Sequence, residues 1–190
     1  MLPSLLSSPN KSVKAAVRKL PRLEGRRVRV RFLPALTADA RKLYSNRDHG
    51  QPVHAATYIR RRVVVLDQQL KESPRELARI LTHELFHFAW VRLSNENRRS
   101  YEKLLRAEFR QRARGELGWS AECRKICLRP PVAAAQDREW REYLCESFCD
   151  TAAWLYSGVR RHDEFTLARR HRHRRAAWFQ TTFRGKQIPI

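Results

Sequence analysis

Hydrophobic and polar positions follow two different rhythms along this chain, and the change of rhythm predicts its elements. Val13, Ala16, Val17 and Leu20 recur at helical spacing among lysines and arginines, so Lys11 to Leu20 predicts a short amphipathic helix stopped at Pro21. From Arg26 to Phe32 the order Arg-Arg-Val-Arg-Val-Arg-Phe alternates strictly, as in a half-buried strand with its arginines in water. Thr37 to Tyr44 reads as a short helix, and Ser45 to Pro52, with Asn46, Asp48 and Gly50, as a loop. His54 to Ile59 and Arg62 to Leu66 are β-rich runs parted by little more than Arg60 and Arg61. They predict a tight antiparallel hairpin that completes a small sheet begun by Val28 to Phe32.

Helical spacing then takes over. Ser73-Pro74-Arg75-Glu76 offers an N-cap serine, a proline at the first helical position and a glutamate three after the cap, a capping box. Leu77, Ile80, Leu81, Leu85, Phe86 and Trp90 form an apolar covering wider than one stripe, so the helix from Pro74 to Leu93 is expected to be buried. Ser94 opens a long helix from Asn95 to about Arg114, ended by Gly115 and Gly118, and Ser120 caps a short one holding Cys123 and Cys127. After a break at Arg129-Pro130-Pro131, Asp137 to Tyr156 is a mostly apolar helix closed by Gly158. Thr166 to Phe179 is a strongly basic helix, and the tail from about residue 180 is expected to be loose. The sum is one α+β domain over residues 1–190, mostly helical, with a small antiparallel sheet packed against a central helix.

That central helix carries the chemistry. It contains His83-Glu84-Leu85-Phe86-His87, two imidazoles one turn apart on one face with a glutamate beside them. A buried helix must pair such groups, and a divalent metal such as zinc does so. Acids recur at Glu142, Glu146 and Asp150 along the apolar helix downstream and lie on one of its faces. Glu146 is the expected third ligand, leaving a fourth position open for water. It is preferred over Glu142 because Asp150, one turn later, can take the free ring N–H of a ligand histidine.

His83-Glu84-Leu85-Phe86-His87 followed at a distance by Glu146-Ser147-Phe148-Cys149-Asp150 resembles the gluzincin pattern of thermolysin-like and short ImmA/IrrE-type metallopeptidases. The resemblance covers the two helices and, loosely, the preceding sheet. It implies a minimal zincin-like fold and a zinc hydrolase acting on a peptide or protein. His83, His87 and Glu146 would hold Zn2+, Glu84 would be general base, and Asp150 would support a ligand histidine. The family usually adds a tyrosine or histidine at the oxyanion, for which Tyr156, His162 and His171 are available.

Composition adds a second picture. Lys and Arg number 40 against 19 Asp and Glu, a formal charge of +21, with clusters at Arg26 to Arg31, Arg60 to Arg62 and Arg169 to Arg175. Nonspecific affinity for polyanions follows, and a basic nucleic-acid-binding protein with a structural metal, or none, is the alternative function. Neither zinc-finger spacing nor a glycine-rich phosphate loop accompanies the charge. With neither a secretory leader pattern at Met1 to Asn10 nor a clean apolar span, a cytoplasmic protein without membrane contact is expected. Cys123, Cys127, Cys145 and Cys149 read as small buried hydrophobes, His49 and His54 as exposed loop residues, and His171 and His173 as part of a charged surface.

Overall fold

Strand β3 (Val28–Leu33) buries Val28 and Val30 and exposes Arg29 and Arg31, as its alternation requires. The computed structural model describes residues 5–7, 10–40, 42–128 and 138–190. Beside β3 lies β8 (Val63–Asp67), buried at every position, and β7 (Ala55–Tyr58) forms the expected hairpin with β8. The principal sheet has the order β1-β3-β8-β7, where β1 is Leu6–Ser7. Both β1 and β8 run parallel to β3, so the sheet is mixed, and only the β7–β8 pair is antiparallel as expected.

The parallel step from β3 to β8 requires a crossover, and residues 36–52 supply it. They form a second sheet of β4 (Leu36–Asp39), β5 (Lys42–Ser45) and β6 (Gln51–Pro52). The short helix expected over Thr37 to Tyr44 is therefore a β4–β5 hairpin, with Leu36 facing Ser45 and Thr37 facing Tyr44. Burial explains the override: Leu36, with Leu43 and Val53, covers Val63 and Val65 on the outer face of β8. Val64 and Leu66, on the other face of that strand, enter the main core.

Among the described residues are six helices, α1 (Lys11–Ala16), α2 (Pro74–Arg92), α3 (Asn95–Arg110), α4 (Trp119–Cys127), α5 (Arg138–Tyr156) and α6 (Arg169–Phe183); α2 packs on β7 and β8, and α1 and α5 pack on α2. Leu77, Leu81, Leu85, Phe86 and Phe88 of α2 are fully buried, as its broad apolar covering predicts. Helix α2 starts at Pro74, but Ser73 makes no side-chain cap bond. Glu76 is drawn away to Arg79 at 2.7 Å and to His162 at 2.9 Å, so the expected capping box does not form. The Arg129-Pro130-Pro131 break and Asp137 lie outside the described residues.

The tail expected to be loose is packed. Helix α6 continues to Phe183, and β9 (Ile188–Pro189) pairs in parallel with β2 (Leu23–Glu24). Burying Ile188 and Ile190 completely is the apolar gain that holds it.

A buried ionic network fixes α5 from behind. Arg175 of α6, with no exposed surface, donates to Glu108 of α3 at 2.6 Å, to Glu116 at 2.6 Å and to Ser147 of α5 at 2.9 Å. Tyr143 donates to Glu116 at 2.6 Å, and the Tyr101 hydroxyl lies 3.2 Å from that of Ser147 and 3.1 Å from that of Thr151. The arginine run of α6 is thus partly interior: Arg175 and His171 are buried, against expectation, while Arg169, Arg170, His173 and Arg174 form the charged surface expected there.

Candidate metal site and cleft

Helices α2 and α5 pack together, and their facing rows carry the residues singled out by the sequence. His83 Nε2 lies 3.2 Å from Glu146 Oε2, and His87 Nε2 lies 3.9 Å from the same oxygen. His83 Nδ1 is 2.7 Å from Asp150 Oδ1, the one-turn relation that the spacing implies. Asp150 thereby sets the His83 tautomer, with Nδ1 protonated and Nε2 turned toward Glu146. Glu142, the rival third ligand, points elsewhere and pairs with Arg138 at 2.8 Å and Arg124 at 3.2 Å.

Each of these groups is held by a partner that sequence reasoning did not assign. Thr57 of β7 donates its hydroxyl to Glu84 Oε2 at 2.6 Å, tying the edge strand to the pentad. Asp150 Oδ2 accepts the Ala121 N–H at 2.9 Å, so one carboxylate orients His83 and also caps the N-terminus of α4. Gly118 makes that approach feasible, since a Cβ there would fall 2.3 Å from Asp150 Cγ and Oδ1. Cys145 Sγ lies 3.4 Å from His87 Nδ1, the position on His87 that Asp150 occupies on His83. In one dimension Gly118 reads only as a helix end; the four-residue step from Cys145 to Cys149 puts two thiols on one face, but packing is the preferred reading and the step does not name His87 as a partner.

Electrostatics follow from this crowding. Burial opposes a charged His83, but Asp150 and Glu146 prevail and raise its pKa well above the usual imidazole value. His87 rises to about 9, burial being outweighed by Cys145 and Glu146. Burial would raise the pKa of Glu146, yet His87 and His83 hold it down to about 2. The hydrogen bond from Cys149 lowers Cys145 to about 6 against its burial, with His87 adding to the effect.

Buried Asp150 and half-buried Glu146 set two carboxylates against the two imidazoles, with Glu84 buried on the same helix as the rings, a donor-rich setting for a divalent cation. The donor set fits a borderline-soft ion such as zinc. Donor atoms of His83, His87 and Cys149, and separately of His87, Cys145 and Glu146, lie within 4.8 Å of one another. Each set thus includes a thiol, and neither brings His83, His87 and Glu146 together within that distance. Of the four cysteines expected to be buried, Cys149 is fully so, Cys123 and Cys145 are half-buried and Cys127 is exposed.

A cleft of about 340 Å³ opens beside the pair His83 and Glu84, lined also by His54, Ala55, Ile80 and Trp119. His54, expected to be a plain loop residue, stands in its wall. Tyr156 instead stacks on Phe86 at 5.5 Å, His162 pairs with Glu76, and His171 is buried near Glu108, so these expected oxyanion donors serve other contacts. No known protein family, curated protein or solved structure matches this chain. No helix among the described residues is long and apolar enough to cross a membrane.

Proposed function

We propose that the protein is a zinc-dependent metallopeptidase, the activity implied by the gluzincin resemblance. His83, His87 and Glu146 would hold the ion. The observation that carries this reading is the convergence of both Nε2 atoms on one Glu146 oxygen, with Asp150 holding His83 from behind. Bound there, zinc would bring the pKa of its water toward about 7 and polarise the scissile carbonyl. Glu84, steadied by Thr57, takes the proton of the attacking water and passes it to the leaving amine. Strand β7 ends the sheet order, so its outer edge can pair with an extended peptide along the cleft, a β-strand addition. His54, which lines the same cleft as Glu84, would be a donor to the carbonyl oxygen.

Glu84→Gln tests the mechanism. The variant should bind one zinc per chain and lose cleavage of casein or a peptide library, and parental turnover by it refutes the base assignment. A structural metal in a basic nucleic-acid-binding protein is the second reading, favoured by Cys145 and Cys149 standing within ligating reach of His87. Cobalt substitution separates the two. A thiolate-to-cobalt band abolished by Cys145→Ser or Cys149→Ser marks a site closed by sulfur, while its absence supports the open hydrolytic site.

A further inference from the structure

The register of the principal sheet brings together two basic clusters that are far apart in sequence. Arg29 faces Val63 and Arg31 faces Val65, so the run from Arg26 to Arg31 lies directly beside the β7–β8 turn carrying Arg60, Arg61 and Arg62. The Arg29 N–H donates to the Arg62 carbonyl at 2.9 Å, and the Arg62 guanidinium bonds the carbonyls of Arg26 and Arg27. Arg26, Arg29, Arg31, Arg60 and Arg61 are exposed.

No acid occurs between Gly25 and Leu36 or between Thr57 and Leu66. Among the described residues no ion pair engages Arg26, Arg29, Arg31, Arg60, Arg61 or Arg62. Arg62 Nη1 is buried without a partner, its guanidinium 5.0 Å over the Phe88 ring. Burial, and then Arg92 and Arg26 nearby, weakens the hold of Arg62 on its proton. The third basic cluster is divided. Arg175 is spent on Glu108 and Glu116 and Arg172 on the carbonyls of Leu167 and Phe165, while Arg169, Arg170 and Arg174 are exposed, the last bonded to Gln111.

We propose that the face formed by Arg26, Arg29, Arg31, Arg60 and Arg61 binds nucleic acid through its phosphate backbone, without reading its sequence. Arg29 and Arg31 project from one face of a strand roughly 6.6 Å apart, a linear cationic track. Every cation in these two runs is arginine, whose planar fork meets phosphate oxygens two at a time. This face is distinct from the candidate metal site. Along α2, Arg92 at the basic end lies eight residues beyond Glu84, about 12 Å at the helical rise.

Fluorescence anisotropy of a labelled duplex of about 20 base pairs tests the proposal across a salt series. One variant removes Arg29, Arg31, Arg60 and Arg61 as glutamines; a control removes the same charge at exposed Lys11, Lys14, Arg99 and Lys103. The first should bind roughly tenfold or more weakly, with a log-affinity against log-salt slope shallower by about 3 to 4, and the control should keep most of the parental slope. Equal losses in both variants overturn the proposal, as does parental binding to phosphatidylserine vesicles that exceeds binding to duplex. Binding is read without turnover, so failure of the peptidase reading leaves this test intact.

Discussion

Replacing Gly118 by alanine tests whether the back of the site is as tightly built as its distances say. The new methyl would sit 2.3 Å from Asp150 Cγ and Oδ1 and 2.5 Å from Oδ2, against an ordinary carbon contact of about 3.5 Å. Asp150 or the start of α4 must therefore move by about 1 Å. Asp150 is 3% exposed and both its oxygens are committed, at 2.7 Å to His83 and 2.9 Å to the Ala121 N–H. A shift of that size stretches at least one of these beyond hydrogen-bonding range, and a hydrogen bond to a charged group contributes about 1.5–3 kcal/mol. For a chain of this length the loss corresponds to a fall in Tm of about 3–12 °C. If zinc binds as proposed, losing the His83 partner should also weaken it about 10–100-fold. Thermal unfolding by circular dichroism and zinc titration against a competing chelator read both effects. A Gly118→Ala protein that melts within a degree of the parent, with unchanged zinc affinity, refutes the coupling of α4 to His83.

Other outcomes follow from the same coordinates. Arg175→Met leaves Glu108 and Glu116 buried without their cation and should cost about 3–5 kcal/mol in urea unfolding; a loss under about 1 kcal/mol would show the network to be dispensable. Burial would raise the pKa of Glu116, but Arg175 and Lys125 depress it to about 2 from 4.5. A depressed carboxyl contributes stability above its unfolded pKa and loses it as pH falls through the folded one. About 3 kcal/mol should thus disappear between roughly pH 5 and pH 2, and the Arg175→Met protein should lack that slope. His54→Ala should lower kcat about a hundredfold on a cleaved peptide with KM nearly unchanged, and parental kcat would remove His54 from the reaction.

The sequence made legible those features whose signal is local. Alternation around Val28 and Val30, the short gap between β7 and β8, and the breadth of the apolar face of α2 depend on neighbours in the chain. The His83–Asp150 and His83–Glu146 approaches were legible for a related reason, because one-turn spacing on two helices leaves few ways for their polar residues to meet. What failed depended on distant partners. Thr37 to Tyr44 became a hairpin because Val63 and Val65 needed covering, and Glu76 left the cap for Arg79 and His162. Arg175 resembled its exposed neighbours in composition, and only the arrival of Glu108 and Glu116 marks it as interior. Gly118 carried no periodic signal, since its role is a single contact across helices, and the four-residue step from Cys145 to Cys149 marked a shared face without naming His87 as the partner.

Helix α5 is committed on two sides at once. Glu146 and Asp150 meet α2 while Ser147 and Thr151 meet Arg175 and Tyr101. A helix seated by apolar contacts alone can slip a residue or roll a few degrees at little cost, but here each such step would strand several buried polar atoms together. The spacing between the pentad and its downstream carboxylates is therefore inherited from the registry of whole helices.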